Sequence, residues 1–119
     1  MEEQIAKLKA AVSDALENRG AESSPELEEL LWETLEACQG QPFSTLKGLE
    51  FSYRVKGYEM FVDRKNKSLT KSTVFIAFQK ALELQKDGGP VKGPKKRGTF
   101  GASYIYPVFI QLGVIRNRG

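Results

Sequence analysis

The sequence contains no histidine and a single cysteine, Cys38, among its 119 residues. These absences exclude histidine-dependent catalytic triads, histidine-ligated metal sites, four-cysteine zinc sites and any disulfide bond within the chain. No hydrophobic run approaches the roughly 20 residues of a membrane-spanning helix, and the first residues, Met1-Glu2-Glu3, lack the basic character of a signal peptide. We therefore expect a soluble, cytoplasmic protein that has no membrane association, no metal and no cofactor.

Positive and negative charges are distributed unevenly along the chain. Residues 1–46 contain ten acidic residues against three basic ones, whereas residues 47–119 contain fifteen basic residues against five acidic ones. The first part therefore has a net charge of −7 and the second a net charge of +10, within a total of +3. Such asymmetry favours a polyanionic partner for the basic part, although two oppositely charged surfaces packed together would give the same pattern.

Residues 1–40 show the apolar spacing of an acidic helical hairpin. Gly20 is a natural end for the first helix, and Ser24-Pro25 supplies a capping serine and a first-turn proline for the second. Cys38 falls on the apolar stripe of the second helix, so we expect it to be a small core residue. Residues of the two stripes recur at intervals of three and four: Ile5, Leu8, Val12, Ala15 and Leu16, then Leu27, Leu30, Leu31, Thr34, Leu35 and Cys38.

After Pro42 the period changes to two, which predicts strands. Phe51, Tyr53 and Val55 alternate with polar residues, Lys56-Gly57 supplies a turn, and residues 58–62 return as a second strand. A hairpin alone is marginally stable, so it must pack on the helices or gain a third strand. Val114-Ile115 is a candidate for that short third strand.

The remaining pattern predicts two helices joined by a basic loop. Ser68 or Thr70 caps a helix that extends to about Gln85, and its apolar residues cover most of its circumference. Residues 86–98, rich in glycine, proline and lysine, predict a long exposed loop before a last helix that ends at Leu112. We expect a single α+β domain over residues 1–119: an N-terminal helical hairpin, a central β-hairpin and two C-terminal helices.

The loop resembles a nucleotide-binding loop only in part. Gly88 and Gly93 have the spacing of the glycines in a phosphate loop, but Pro94 occupies the lysine position and removes a backbone donor. The sequence shows no nucleophile–base arrangement, and no carboxylate pair stands out by its spacing, although an enzyme that uses carboxylates alone is a third possibility. We therefore expect a protein that is not an enzyme.

The same loop suits a flexible basic arm that contacts successive phosphates of DNA or RNA. Each neutralised phosphate would add a salt-dependent increment to the affinity through counterion release. We expect nucleic-acid binding mainly through phosphates. The aromatic residues after the loop are expected to anchor the last helix to the core, and stacking of Tyr104 or Tyr106 on a base is the alternative. The predicted contacts are Lys65, Lys67, Lys71, Lys92, Lys95, Lys96 and Arg97.

Residues 68–74, followed by Ala77, Ala81 and Leu82, resemble the recognition-helix region of winged helix-turn-helix repressors. The resemblance implies a basic wing after the helix and DNA contacts at its hydroxyl-rich start, by Thr70, Lys71, Ser72 and Thr73. It covers about residues 68–98 and departs from the family in three ways. A hairpin precedes the helix, apolar residues occupy its reading face, and the supposed wing lacks strand alternation. We therefore assign the chain to no family.

A protein-interaction module or inhibitor is the alternative function. Its binding surface would be the acidic helices or the basic patch, and the acidic face is also able to mask the chain's own basic surface. The apolar stripes of the first two helices fit an internal core or a dimer seam equally well, so the oligomeric state stays open. The sequence does not separate DNA from RNA.

Overall fold

The computed structural model describes residues 2–18, 20, 22–45, 47–64, 68–86 and 102–115. Within these residues the chain forms four helices and two small antiparallel sheets, which confirms the predicted α+β class with N-terminal helices and a central hairpin. In chain order the elements are α1 (Glu2–Asn18), α2 (Pro25–Ala37), β1 (Phe43–Ser44), β2 (Glu50–Phe51), β3 (Tyr53–Lys56), β4 (Glu59–Val62), β5 (Leu69–Thr70), α3 (Lys71–Lys86) and α4 (Ala102–Leu112).

The two N-terminal helices begin and pack as their sequence predicts. Ser24 has an extended backbone, and its hydroxyl accepts a hydrogen bond of 3.2 Å from the amide of Leu27, so it caps α2 ahead of Pro25. Leu8 and Leu31 are fully buried within this chain. Their stripes therefore serve the internal core rather than an exposed dimer seam.

The predicted hairpin is present, but its first strand is divided. Glu50–Phe51 pairs with β1, whereas Tyr53–Lys56 pairs with β4, and Ser52 separates the two strands. Gly57 lies in the turn with φ of +59°, a conformation that residues with a Cβ atom adopt at a cost. The alternation of residues 50–56 correctly predicts extended backbone, but it contains no information about the change of partner at Ser52.

The third strand of the hairpin sheet is β5, and the prediction that Val114-Ile115 forms it is wrong. In β5, Leu69 lies opposite Met60 in an antiparallel register. Gly113, with φ of +84°, instead turns the chain back at the end of α4, so that the amide of Val114 donates to the oxygen of Phe109 over 2.9 Å. Val114 and Ile115 are buried there. Their backbone amides find hydrogen-bond acceptors at the end of the helix rather than in a neighbouring strand.

Helix α3 packs centrally, as the apolar residues around most of its circumference predict. Ile76 is nevertheless 58% exposed and Phe75 is partly buried, whereas the residues of the helix that belong to the core are fully buried. Pro107 is the sixth residue of α4 and so lies beyond its first turn. Buried residues from all four helices and from the strands form one cluster. From α3 these are Val74, Ala77, Phe78, Ala81 and Leu82.

Candidate functional site

Lys71 is the predicted contact residue that the structure describes. It is the first residue of α3, directly after β5. The other six predicted contacts lie outside the described residues, so their meeting on one surface stays a prediction: Lys65, Lys67, Lys92, Lys95, Lys96 and Arg97.

The start of α3 is fixed against the turn of the β3–β4 hairpin. The hydroxyl of Thr70 accepts a hydrogen bond of 3.2 Å from the amide of Thr73, which confirms Thr70 as the cap. The amide of Lys71 donates to the main-chain oxygen of Tyr58 over 2.7 Å. Lys71 and Tyr58 therefore have fixed relative positions, although two strands, β4 and β5, and the segment that joins them lie between the two residues in the sequence.

The ammonium group of Lys71 lies over three aromatic rings. Its distances to the ring centroids are 5.2 Å for Tyr58, 5.4 Å for Trp32 and 5.7 Å for Phe75. All three fall within the roughly 6 Å at which a ring face attracts a cation. Trp32 and Phe75 also contact each other edge to face, with centroids 6.1 Å apart.

Sequence reasoning missed these three rings. One sequence feature could have identified Tyr58 as an exposed ring: it directly follows a turn glycine, where a large aromatic residue is exposed unless another element covers it. No sequence feature indicates that Trp32 lies near Lys71, because Trp32 belongs to the acidic α2, far along the chain. The proximity of α2 to the start of α3 is a property of the tertiary fold.

A cavity of about 300 Å³ opens beside Lys71, between the hairpin turn and α3. Tyr58, at its edge, is 74% exposed. The carboxylate of Glu59 accepts a hydrogen bond from the hydroxyl of Ser68. The cavity is lined by Tyr58, Glu59, Thr70, Lys71, Ser72 and Phe75.

Charged residues cross the solvent face of the sheet beside this cavity. Lys56 lies opposite Glu59, which lies opposite Thr70 on its other side. Arg54, also exposed, lies two residues before Lys56 on β3 and so on the same face of the sheet. We name this area the hairpin–α3 surface and define it as Arg54, Lys56, Tyr58, Glu59, Thr70 and Lys71.

The aromatic residues that the sequence suggested for stacking lie elsewhere. Tyr106 is 1% exposed and packs against Phe109, so burial excludes its ring from contact with a base. Tyr104 is partly buried against the core and meets Phe51 edge to face, with centroids 5.1 Å apart. Tyr58 is the better candidate for stacking because most of its surface is exposed to solvent.

Other kinds of site find no support in the described residues. No group of three or more acidic or cysteine side chains there is arranged to hold a metal ion. Burial raises the pKa of the Cys38 thiol, which is 1% exposed, so Cys38 is the core residue that its stripe position predicts. None of the helices in this part of the chain has the length and hydropathy that crossing a bilayer requires.

Comparison of the chain with models of known families, with curated proteins and with solved structures finds no match. The function must therefore be argued from the geometry and charge of the site itself.

Proposed function

We propose that this protein is a nonenzymatic, cytoplasmic nucleic-acid-binding protein that contacts phosphates through the hairpin–α3 surface. The observation that carries the proposal is the Lys71 ammonium, 5.2 Å from the ring of the 74% exposed Tyr58. Cations that neutralise phosphates and rings on which bases stack are the two components of many polynucleotide sites.

The position of Lys71 is locally unfavourable without a bound anion. The first turn of a helix carries a partial positive charge, which favours acidic residues and anions and disfavours a lysine. Helix α3 has no acidic residue in its first turn. A phosphate bound there would interact favourably with both the lysine and the helix end.

The rings also keep the Lys71 side chain ordered for such a contact. Fixing a lysine side chain costs up to about 2 kcal/mol in lost rotamer freedom. Cation–π contacts contribute about 0.5–1 kcal/mol each at exposed sites, and Lys71 has three. Because aromatic rings hold the ammonium without neutralising its charge, it is already positioned to interact with a phosphate.

The proposal is tested by fluorescence anisotropy with labelled single-stranded and duplex DNA and RNA at several salt concentrations. We expect binding that weakens steeply with salt. Lys71→Gln should lower the affinity. It should also reduce, by about 1, the slope of the logarithm of the binding constant against the logarithm of the salt concentration. Lys80→Gln, which removes the same charge from an exposed position on α3, is the matched control and should change neither.

A second variant tests the predicted basic arm, with Lys92, Lys95, Lys96 and Arg97 replaced by alanine. We expect a larger loss of affinity than for Lys71→Gln, because four cations are removed. If the folded protein binds no nucleic acid at low salt, the proposal is wrong. The alternative, docking of another protein on the acidic helices or the basic patch, would then be tested with a partner pull-down.

A further inference from the structure

We infer that the hairpin–α3 surface selects single-stranded nucleic acid, and that its cavity holds one unpaired base that carries an amino group. In this arrangement the base stacks on Tyr58, and the carboxylate of Glu59 accepts a hydrogen bond from the amino group. The inference rests on the proposed function and names its substrate class.

The first support is the cavity beside the exposed ring. Its volume of about 300 Å³ lies at the lower end of the range for small-molecule sites. Tyr58 and Phe75 both line it and both lie within 6 Å of the Lys71 ammonium. The Lys71 ammonium covers one face of the Tyr58 ring, and the 74% exposure of Tyr58 leaves the other face open to a base. A base stacked there leaves its phosphate close to Lys71, whereas a base inside a duplex has both faces covered by its neighbours.

The second support is the position of Glu59. Its carboxylate lies in the row between Lys56 and Thr70, and Lys71 directly follows Thr70. A carboxylate among cations opposes phosphate binding, so its presence in a purely phosphate-binding surface would be unfavourable. One Glu59 oxygen already accepts from Ser68, so the carboxylate favours binding only when its other oxygen meets a hydrogen-bond donor on the ligand.

Base amino groups are among the donors that nucleic acid supplies, and they distinguish cytosine and adenine from thymine. Cytosine presents N4–H₂ and adenine N6–H₂, and Glu and Asp side chains accept from such groups. Thymine presents O4 at the corresponding position, and its oxygen repels a carboxylate. The hydroxyl of Ser68 donates to one Glu59 oxygen and so orients the side chain, leaving the other oxygen for the base.

The experiment compares labelled oligo(dC), oligo(dT), their RNA counterparts and a mixed-sequence duplex, all of equal length, at pH 7.5 and one salt concentration. We expect single strands to bind more tightly than the duplex, and oligo(dC) about fivefold more tightly than oligo(dT), within the range for one good base contact. The RNA pair should show the same preference, because cytosine presents N4–H₂ in both polymers, and equal affinity for the cytosine strand and its thymine or uracil counterpart would overturn the inference. Equal affinity for single strands and duplex would overturn the inference.

Glu59→Gln separates hydrogen bonding from repulsion. If Glu59 accepts from the base, this variant reduces the ratio of oligo(dC) to oligo(dT) affinity towards one. If Glu59 only repels phosphates, the variant raises both affinities equally and leaves the ratio unchanged, which overturns the inference. Glu50→Gln, at another exposed strand position, is the control and should preserve the ratio.

Tyr58 supplies the test of stacking. Tyr58→Ala should weaken single-strand binding about tenfold, within the range for one stacked base, whereas Tyr58→Trp retains a ring and should retain binding. Because Tyr58 is 74% exposed, far-UV circular dichroism should show an intact fold in both variants. Single-strand binding that is unaffected by Tyr58→Ala overturns the inference but leaves the proposed function standing. Failure of every oligonucleotide to bind overturns both.

Discussion

The hydroxyl of Tyr53 donates a hydrogen bond of 2.7 Å to the main-chain oxygen of Leu35, and both residues are buried. This bond joins β3, in the basic part of the chain, to α2 in the acidic part. Leu35 lies near the end of α2, where carbonyl groups lack partners within the helix. The two oppositely charged parts therefore share a core and one of its buried polar contacts.

Removing the Tyr53 hydroxyl should destabilise the protein. Tyr53→Phe retains the ring but leaves the Leu35 carbonyl without this donor, which should lower the free energy of unfolding by about 1–2 kcal/mol. Urea denaturation followed by circular dichroism measures the change. Tyr58→Phe is the matched control, and its exposed hydroxyl predicts no measurable effect. Equal effects of the two variants would contradict the role assigned to the buried bond.

Stability should fall as the pH rises above about 9. Burial raises the pKa of the Cys38 thiol above its ordinary value of 9.0, and burial together with the nearby Cys38 raises the pKa of Tyr53 above its ordinary value of 10.0. Below these ordinary values both groups are protonated in the folded and unfolded states. Above them they ionise first in the unfolded chain, so alkaline pH favours unfolding.

Urea midpoints at pH 8 and pH 10 measure this alkaline loss of stability. Cys38→Ala should reduce the difference between the two midpoints, because the variant cannot ionise at that position. Its midpoint at pH 8 serves as its own baseline for any change in packing. A difference as large as that of the parent protein would show that Cys38 does not contribute.

Gly57→Ala should destabilise the hairpin and displace Tyr58. With φ of +59°, Gly57 adopts a left-handed conformation that costs other residues roughly 1–2 kcal/mol. A Cβ atom there would meet nothing within 4 Å, so the cost arises from the backbone rather than from a clash. Thermal unfolding should show a lower midpoint, and single-strand affinity should fall because the next residue is Tyr58. An unchanged midpoint would contradict this account of the turn.

The masking hypothesis is testable by removing charge, not by deleting the helices. Leu8 and Val12 of α1 and Leu31 of α2 belong to the core, so removing residues 1–46 should unfold the remainder. Four exposed glutamates of α2 can instead be replaced by glutamine: Glu26, Glu29, Glu33 and Glu36. If their face repels or competes with a polyanion, this variant should bind nucleic acid several-fold more tightly at low salt, with the gain decreasing as salt is added. No gain at low salt would rule the masking hypothesis out.

The sequence alone indicated the cation of the candidate site and the hairpin beside it. The charge asymmetry and the hydroxyl-rich start of α3 identified Lys71 as a candidate contact. The alternation from Phe51 predicted the hairpin, and Lys56-Gly57 predicted its turn. None of these sequence features indicated that Tyr58 and Trp32 lie beside Lys71, because ring contacts between distant segments leave no periodic pattern.

The sequence by itself determined the features that depend on near neighbours: the capping of α2 by Ser24, the apolar stripes, the turn at Gly57 and the charge of each part. These follow from local hydrogen bonding, side-chain period and backbone conformation. Only the tertiary structure decided that β5 rather than Val114-Ile115 completes the hairpin sheet, and that three rings surround the Lys71 ammonium. Strand partners and ring contacts are selected by how the whole core packs, and that selection depends on residues far apart in the chain.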